Sequence, residues 1–418
     1  MVDKYPNPAA AFRDVYEQYV EEASFLWQMR SIAVDQPHYT RQDLARLENR
    51  LQAQLNGLMS APDMAWEVCE QALELGGPGE VFAATYIAVK THVQERIQLA
   101  VEAGLSTPEA FPGLVSVFGW LPQELSYPWI ERFLNSKDLQ HKYLALAICS
   151  IRRENPGEFL NRIFQRDDCR QHPALLGRAV RIVGELGRQD LRDQLHEFSD
   201  SDDPDTQFWV HWSSILLGDS SAAMNMQDFV FQPGPHQKRA IDIVFRSLPI
   251  SDAREWISRM AELPEQQRQI VQAVGILGDP HAIDWLIGKT QLPELSRLAG
   301  EAFTSISGID LEAHQLALAD DHPGVPSGAL DDENSDKVEM DDDENLPWPN
   351  PPAIAQYWAG IRGRFQDGER YLLGMPVEQL NTEMASSPLT QRQLRAMAME
   401  LALKAPGQGL ANVSGKVI

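Results

Sequence analysis

The sequence is short of cysteine and of long apolar runs, and each shortage excludes a class of protein. The three cysteines, Cys69, Cys149 and Cys169, are too few and too far apart for a disulfide framework. No apolar run approaches the length that crosses a bilayer, and the first residues lack the apolar core of a signal peptide. We therefore expect a soluble cytoplasmic protein that does not associate with membranes, with thiols that are buried as small hydrophobic groups.

Basic residues are also scarce, with 36 lysines and arginines against 60 acidic residues and a net charge of −24. Residues 320–344 carry −10 of this charge, because they hold eleven acids and one base, Lys337. An acidic surface argues against nucleic acid as a partner, since phosphate binding needs basic residues. It favours a protein partner with a basic surface, because opposite charges speed association.

Motifs that carry chemistry are missing as well. The ten histidines are scattered, and the sequence contains no His-Glu-x-x-His, no paired Cys-x-x-Cys and no Gly-x-Ser-x-Gly. Asp331, Glu333 and Ser335 have the spacing of a calcium loop, but Asp336 stands where an EF-hand needs glycine. We therefore predict no metal, no cofactor and no enzymatic activity.

Two rows of helix-punctuating residues recur with a period near 30. The proline row has intervals of 31, 31, 29 and 29 residues, and the glycine row follows it by 14 or 15 residues. The proline row is Pro173, Pro204, Pro235, Pro264 and Pro293, and the glycine row is Gly187, Gly218, Pro249, Gly278 and Gly308. Proline suits the first position of a helix and glycine the position just past its end, so each interval predicts one helix. With a second helix between the rows, the pattern predicts a helix-turn-helix repeat array, a class that mostly serves binding.

These patterns predict an all-α fold, a HEAT-like α-solenoid with an N-terminal helical region and a small C-terminal α/β tail. The predicted regions are 1–105 (helical), 106–130 (connecting loop or short helices), 131–318 (repeat array), 319–345 (acidic linker, disordered by composition) and 346–418 (tail). Within the first region we expect one helix over Glu80–Ala103. Within the tail we expect a helix, a hairpin with its turn at Asp367-Gly368, and a last helix.

Aromatic and acidic clusters are the candidate binding residues. Trp209 and Trp212 share a face of one repeat helix, where core packing and an exposed binding anchor are the two alternatives. Trp348 and Trp358 present the same choice in the tail, which we expect to fold back on the array because so short a piece needs a surface to bury against. The acids at the end of the linker complete the set: Asp341, Asp342, Asp343 and Glu344.

Several segments resemble one known family, an uncharacterised proteobacterial family of HEAT-like repeat proteins whose genes lie near type VI secretion spike and effector genes. The matching segments include Arg297 to Phe303, Leu346-Pro347-Trp348-Pro349 and Tyr371-Leu372-Leu373-Gly374. The repeats also resemble short HEAT repeats with an arginine in the second helix. Arg178, Arg239, Arg268 and Arg297 follow a proline of the row by four or five residues, and Trp209 holds that place in one repeat.

The resemblance implies a genomic context and no catalytic residue. It leads us to expect a non-catalytic protein that binds a type VI effector or spike component as adaptor, chaperone or immunity factor. A structural scaffold of unknown pathway, or an enzyme with an unrecognised site, are the alternatives.

Overall fold

The computed structural model of the chain describes residues 8–319, 342–382 and 388–417. Helical residues make up 71% of this part of the chain, and its one sheet has two short strands, which establishes the predicted all-α repeat fold with a small α/β tail. The α-helices are α1 (Pro8–Ala33), α2 (Arg41–Leu58), α3 (Pro62–Ala72), α4 (Pro78–Thr91), α5 (Gln94–Ser106), α6 (Phe111–Trp120), α7 (Gln123–Asn135), α8 (Leu139–Arg152), α9 (Glu158–Gln165), α10 (Asp167–Arg170), α11 (Pro173–Glu185), α12 (Arg192–His196), α13 (Pro204–Leu216), α14 (Gln227–Phe231), α15 (Gln237–Ser247), α16 (Ile250–Met260), α17 (Gln267–Leu277), α18 (Ile283–Lys289), α19 (Pro293–Ser307), α20 (Pro351–Ile361) and α21 (Gln391–Lys404). The strands are β1 (Tyr371–Leu372) and β2 (Met375–Pro376). Short 3-10 helices cover Leu73–Leu75, Gln189–Leu191, Ser220–Met226, Pro264–Gln266, Pro280–Ala282, Arg362–Arg364 and Val377–Gln379.

The chain divides into two compact units. Unit 1 comprises Met1–Leu186 with Ala411–Ile418, and unit 2 comprises Gly187–Leu410. The division falls inside the predicted repeat array, and the last residues of the chain group with the N-terminal ones. Most of the predicted acidic linker lies outside the described residues, because the described part stops at residue 319 and resumes at 342.

Unit 1 is built around α2 and α4, which supply many of its fully buried apolar residues. Leu44, Leu51, Leu55 and Leu58 follow one face of α2, as their spacing predicts, and Phe82 lies at the centre of α4. The prediction of one helix over Glu80–Ala103 is wrong. His92 takes a left-handed conformation (φ 57°) and ends α4, and α5 begins two residues later.

The three cysteines are buried free thiols in unit 1, as expected. Burial raises the pKa of Cys69 and of Cys149 to about 12, and burial is also the main cause of the raised pKa of Cys169. Since the thiolate is the reactive form, we expect the native protein at pH 8 to react slowly with a disulfide reagent at all three positions, and the protein in guanidinium to react fully. Absorbance of the released thiolate measures this, and rapid native reaction of one equivalent would contradict it.

The proline and glycine rows mark helix boundaries in the way that the sequence predicts. Pro173, Pro204 and Pro293 begin α11, α13 and α19, and Pro264 begins the 3-10 turn that leads into α17. The four glycines of the row all have positive φ, between 64° and 93°. The exceptions are Pro235, which lies in a turn before α15, and Pro249, which precedes α16 after α15 has ended at Ser247.

The second helix of most repeats is shorter than the pattern predicts. In three of the four repeats of unit 2 it consists of a 3-10 turn followed by five to seven α-helical residues, as in α12, α14 and α18. α16 is the only full-length member, with 11 residues. Leu191 in the 3-10 turn and Leu195 on α12 are both buried, so even the short second helix contributes to the core of the repeats.

The tail forms the expected helix, hairpin and helix, but the hairpin turns at a different place. β1 pairs antiparallel with β2, and the turn residues are Leu373 (φ 53°) and Gly374 (φ 79°) instead of Asp367-Gly368. Two successive positive φ values define the type of turn that suits a two-residue hairpin. Leu373 is held in this conformation by its backbone N–H, which donates to the Ser305 carbonyl over 2.6 Å.

The tail folds back along the glycine row of unit 2, as the sequence led us to expect. The Tyr371 N–H donates to the Gly278 carbonyl (2.8 Å), and the Gly374 N–H donates to the Ile306 carbonyl (2.9 Å). A Cβ at Gly278 would overlap the Tyr371 carbonyl oxygen, and a Cβ at Gly187 would lie 2.7 Å from the Gly407 backbone. The row therefore provides the close backbone approach that the tail needs, in addition to ending helices.

A buried charge cluster fastens the tail to the repeats. The Glu400 carboxylate of α21 accepts from Arg246 of α15 (2.8 Å) and from Arg370, and Arg246 also pairs with Asp242 (3.1 Å). Arg370 donates to the carbonyls of Arg246 (2.6 Å) and Leu277 (3.0 Å), which lie in the last turns of α15 and α17. Burial lowers the pKa of the Arg370 guanidinium, and Glu400 acts against this, so the carboxylate compensates part of the cost of burying the Arg370 charge.

Candidate protein-binding surface

Three arginines at equivalent positions of α15, α17 and α19 form a row on unit 2. We call Arg239, Arg268 and Arg297, which are 29 residues apart, the arginine row. Arg239 lies over the ring of Trp209, 5.9 Å from its centroid. Trp209 occupies the position of α13 that corresponds to these arginines. Arg239 of α15 therefore makes a cation–π contact with the preceding repeat helix.

Arg268 binds the end of the acidic linker, close to residue 342, where the described part of the chain resumes. Its Nη1 donates to Asp343 Oδ2 over 2.7 Å, and the Asp343 side chain is only 6% exposed. A charge-assisted hydrogen bond to a buried carboxylate is among the stronger polar contacts in a protein. Asp342 makes a weaker pair with Lys238 (3.5 Å), since both of these side chains are mostly exposed.

Arg297 continues the row by stacking on Trp348. The guanidinium lies 4.8 Å from the ring centroid, and the next residue, Pro349, packs on Gly300 of α19, where an added Cβ would come within 2.6 Å of the proline ring. Residues 342–350, which we call the docked segment, are thus held on α17 and α19 by a carboxylate, an aromatic ring and a proline in succession. These are the contacts by which helical surfaces bind extended peptides.

A short antiparallel bridge pins both ends of the acidic linker. Ala317 pairs with Pro349, the Leu318 N–H donates to the Trp348 carbonyl (2.7 Å), and the Asn350 N–H donates to the Leu316 carbonyl (2.7 Å). The described residues on either side of the acidic linker are therefore paired with each other. A change of length or charge between these anchors need not disturb the repeats.

A second layer of charge surrounds the docked segment. Arg392 of α21 donates to both carboxylate oxygens of Glu301 (3.0 and 2.9 Å) and to the Asp342 carbonyl (2.8 Å). Burial raises the pKa of Glu301; Arg392 acts against this rise and Asp343 adds to it. The segment thus contacts the tail helix as well as the repeats.

A groove of about 190 Å³ lies between α15 and α17 beside the docked segment. Each helix contributes residues at positions i, i+1 and i+4, and Asp342 forms one wall. The helix residues are Gln237, Lys238, Ile241, Arg268, Gln269 and Gln272. Amide side chains can donate to and accept from a peptide backbone, so the groove has the chemistry to extend the binding of a polypeptide.

The structure places three of the predicted site tryptophans in the interior. Trp209, Trp212 and Trp358 are buried, at 7%, 5% and 2% exposure. Trp209 and Trp212 pack edge to face with centroids 5.4 Å apart, and Trp358 packs edge to face against Phe303. Their burial fits the core-packing alternative, and a binding role would require the rings to become exposed.

Asp343 and Trp348 come together at the arginine row, and Asp342 pairs with Lys238 beside it. Asp342 and Glu344 are exposed, Asp343 is buried against Arg268, and Trp348 is half-buried under Arg297. Asp341 lies outside the described residues. Sequence reasoning missed Lys238, Glu301 and Arg392, and only the arginine row itself has a periodic signal that could have drawn attention to this face.

Within the described residues, no group of three or more histidine, cysteine, aspartate and glutamate side chains is placed to bind a metal ion. In the same part of the chain, every helix is too short or too polar to cross a membrane. The chain matches no protein-family profile, and no curated protein or solved structure is significantly similar to it.

Proposed function

We propose that the chain is a non-catalytic repeat protein that binds another protein through unit 2. The observation that carries this proposal is the docked segment, in which the arginine row already holds a polypeptide by Asp343 and Trp348. The amide side chains of the groove beside this segment have the chemistry to bind a further polypeptide, and the acidic linker anchored there would attract a basic one. The repeat architecture supports the same conclusion, because repeat arrays present long surfaces for binding.

The partner that we propose is an effector or spike component of a type VI secretion system with a basic surface. Its place in secretion is supported by the resemblance of the Leu-Pro-Trp-Pro and Tyr-Leu-Leu-Gly segments to the HEAT-like family described above. Its basic character is supported by the net charge of −24, of which residues 320–344 carry −10. The protein would act as adaptor, chaperone or immunity factor in the cytoplasm.

Affinity purification from the native host tests the proposal. We expect the tagged protein to capture a basic effector or spike component at about 50 mM salt and to lose most of it at about 300 mM salt, where screening is stronger. Mass spectrometry of the eluted proteins identifies the partner. Gene deletion then separates the roles: self-killing indicates an immunity factor, and failed effector loading without self-killing indicates a chaperone or adaptor.

A charge variant identifies the part of the chain that attracts the partner. Changing the eight acids of residues 320–341 to amides should reduce capture at low salt more than tenfold, because the attraction between opposite charges is lost. The bridge at Ala317 and Pro349 should keep the repeats intact in this variant. The matched control neutralises eight exposed acids of unit 1: Asp14, Glu21, Glu67, Glu70, Glu74, Glu95, Glu102 and Glu109. Equal capture by both variants would reject the acidic linker as the attracting element.

A further inference from the structure

Unit 1 contains a cavity that the proposed function does not use. It has a volume of about 460 Å³ and opens between α2, α4 and the α6–α7 junction, with Lys416 of the C-terminal segment on one side. This volume lies within the usual range of small-molecule sites. Leu121 and Pro122 form an apolar part of its wall.

Hydrogen bonds fix the polar part of the wall. Trp120 Nε1 donates to Gln52 Oε1 (3.0 Å), and Gln52 Nε2 donates to the Tyr86 hydroxyl (3.2 Å) and to Asn56 Oδ1 (3.0 Å). The Gln52 amide is therefore used within the protein. Tyr86 and Asn56 line the cavity and accept from Gln52, so the Tyr86 O–H and the Asn56 amide N–H groups can donate to a ligand.

The cavity is positively charged in a chain that is strongly negative. Lys90 and Lys416 both line it, and no carboxylate does. Within the described residues, neither lysine forms an ion pair. Lys416 lies over the ring of Trp120, 4.7 Å from its centroid.

The environment of Lys416 disfavours an uncompensated charge. Burial lowers the pKa of Lys416, and the Glu48 carboxylate acts against this effect. Glu48 is already engaged by Arg30 (3.0 Å) and by the Val417 N–H (2.8 Å). An anion in the cavity would supply the neutralising charge that Lys416 lacks.

We propose that this cavity binds a small organic anion, with a phosphate or carboxylate group between Lys90 and Lys416 and a ring against Leu121 and Pro122. The Tyr86 and Asn56 donors would complete the hydrogen bonds of the anionic group. This site belongs to unit 1, and its existence does not depend on the function proposed for unit 2.

Calorimetric titration of the full chain tests the site with defined probes. Phenyl phosphate and benzoate carry the ring with a phosphate or with a carboxylate, while inorganic phosphate and phenol each carry only half of the ligand. We expect phenyl phosphate, benzoate or both to bind with a Kd below about 1 mM, and each half-ligand to bind at least about tenfold more weakly. Binding of only one ring-bearing probe assigns the anionic group.

Substitutions locate the binding in the cavity. Lys90→Met and Lys416→Met should each weaken binding by about tenfold or more, since each removes a charged donor. Lys416→Arg keeps the charge and should retain binding, which separates loss of the charge from loss of the fold. The matched control is Lys289→Met, which removes another lysine from over a tryptophan, Trp285 (5.1 Å). No binding by any probe, or unchanged binding by the Lys90 and Lys416 variants, would overturn the proposal.

Discussion

Replacing Glu400 by alanine is expected to lower the melting temperature of unit 2 by on the order of 10 °C. The substitution leaves Arg246 and Arg370 close together, with Arg246 only 5% exposed and with Asp242 as the one remaining carboxylate of its two. Breaking a buried ion pair from one side costs about 3–5 kcal/mol, because the remaining charge stays desolvated. Differential scanning calorimetry measures the transition, and hydrogen exchange of the tail amides shows whether the tail detaches.

Glu255→Ala is the matched control for this experiment. Glu255 lies on α16 of the same unit and is exposed, so its removal should change the melting temperature by no more than about 2 °C. Glu400→Gln keeps hydrogen-bond acceptors and loses the charge, so its effect should be intermediate. A Glu400→Ala protein that melts with the control would show that the charge cluster does not hold the tail.

Replacing Gly278 by alanine is expected to destabilise unit 2 by about 3 kcal/mol and to free the hairpin of the tail. Two effects add. The left-handed conformation (φ 74°) disfavours any residue with a Cβ by about 1–2 kcal/mol, and this Cβ would overlap the Tyr371 carbonyl oxygen. The Tyr371 amide, which donates to the Gly278 carbonyl, should lose its protection from hydrogen exchange.

Gly368→Ala separates the two effects. Gly368 has a similar φ of 83°, lies in the tail itself, and has no neighbouring atom within 4 Å of the position of an added Cβ. It should therefore show the conformational cost alone and keep the Tyr371 amide protected. Equal denaturation midpoints in urea for the two variants would mean that overlap between the added Cβ at Gly278 and the Tyr371 carbonyl contributes nothing to the destabilisation.

The repeat helices of unit 2 could be predicted because their boundaries depend on local backbone preferences. Proline at a first helical position and glycine past the end act within a few residues, so Pro204 and Gly278 mark real boundaries. His92 and Leu373 could not be predicted, since both adopt positive φ without being glycine. Leu373 does so while bonded to Ser305, a contact between distant parts of the chain.

The sequence indicates only one part of the candidate surface. The arginine row follows from the repeat period, but its partners do not, because Asp343 is 75 residues from Arg268 and Arg392 is 91 residues from Glu301. No periodic pattern connects such pairs. The burial of Trp209 and Trp212 was an open choice in the sequence, since helical spacing places both on one face without saying what covers it.

The contacts that residues 371–417 make with much earlier residues have a consequence for biosynthesis. Residues 411–417 belong to unit 1, and Glu400 and Tyr371 complete unit 2, where they bond to residues 154 and 93 positions earlier. The contacts within repeats form between near neighbours and can appear while the chain is being made, whereas these distant pairings must wait until residues 371–417 have been made. A nascent chain that has not reached these residues therefore exposes its glycine row and the walls of the cavity that Lys416 completes. Ribosome-bound chains truncated before residue 370 should be cut by protease in the repeats more readily than the released protein.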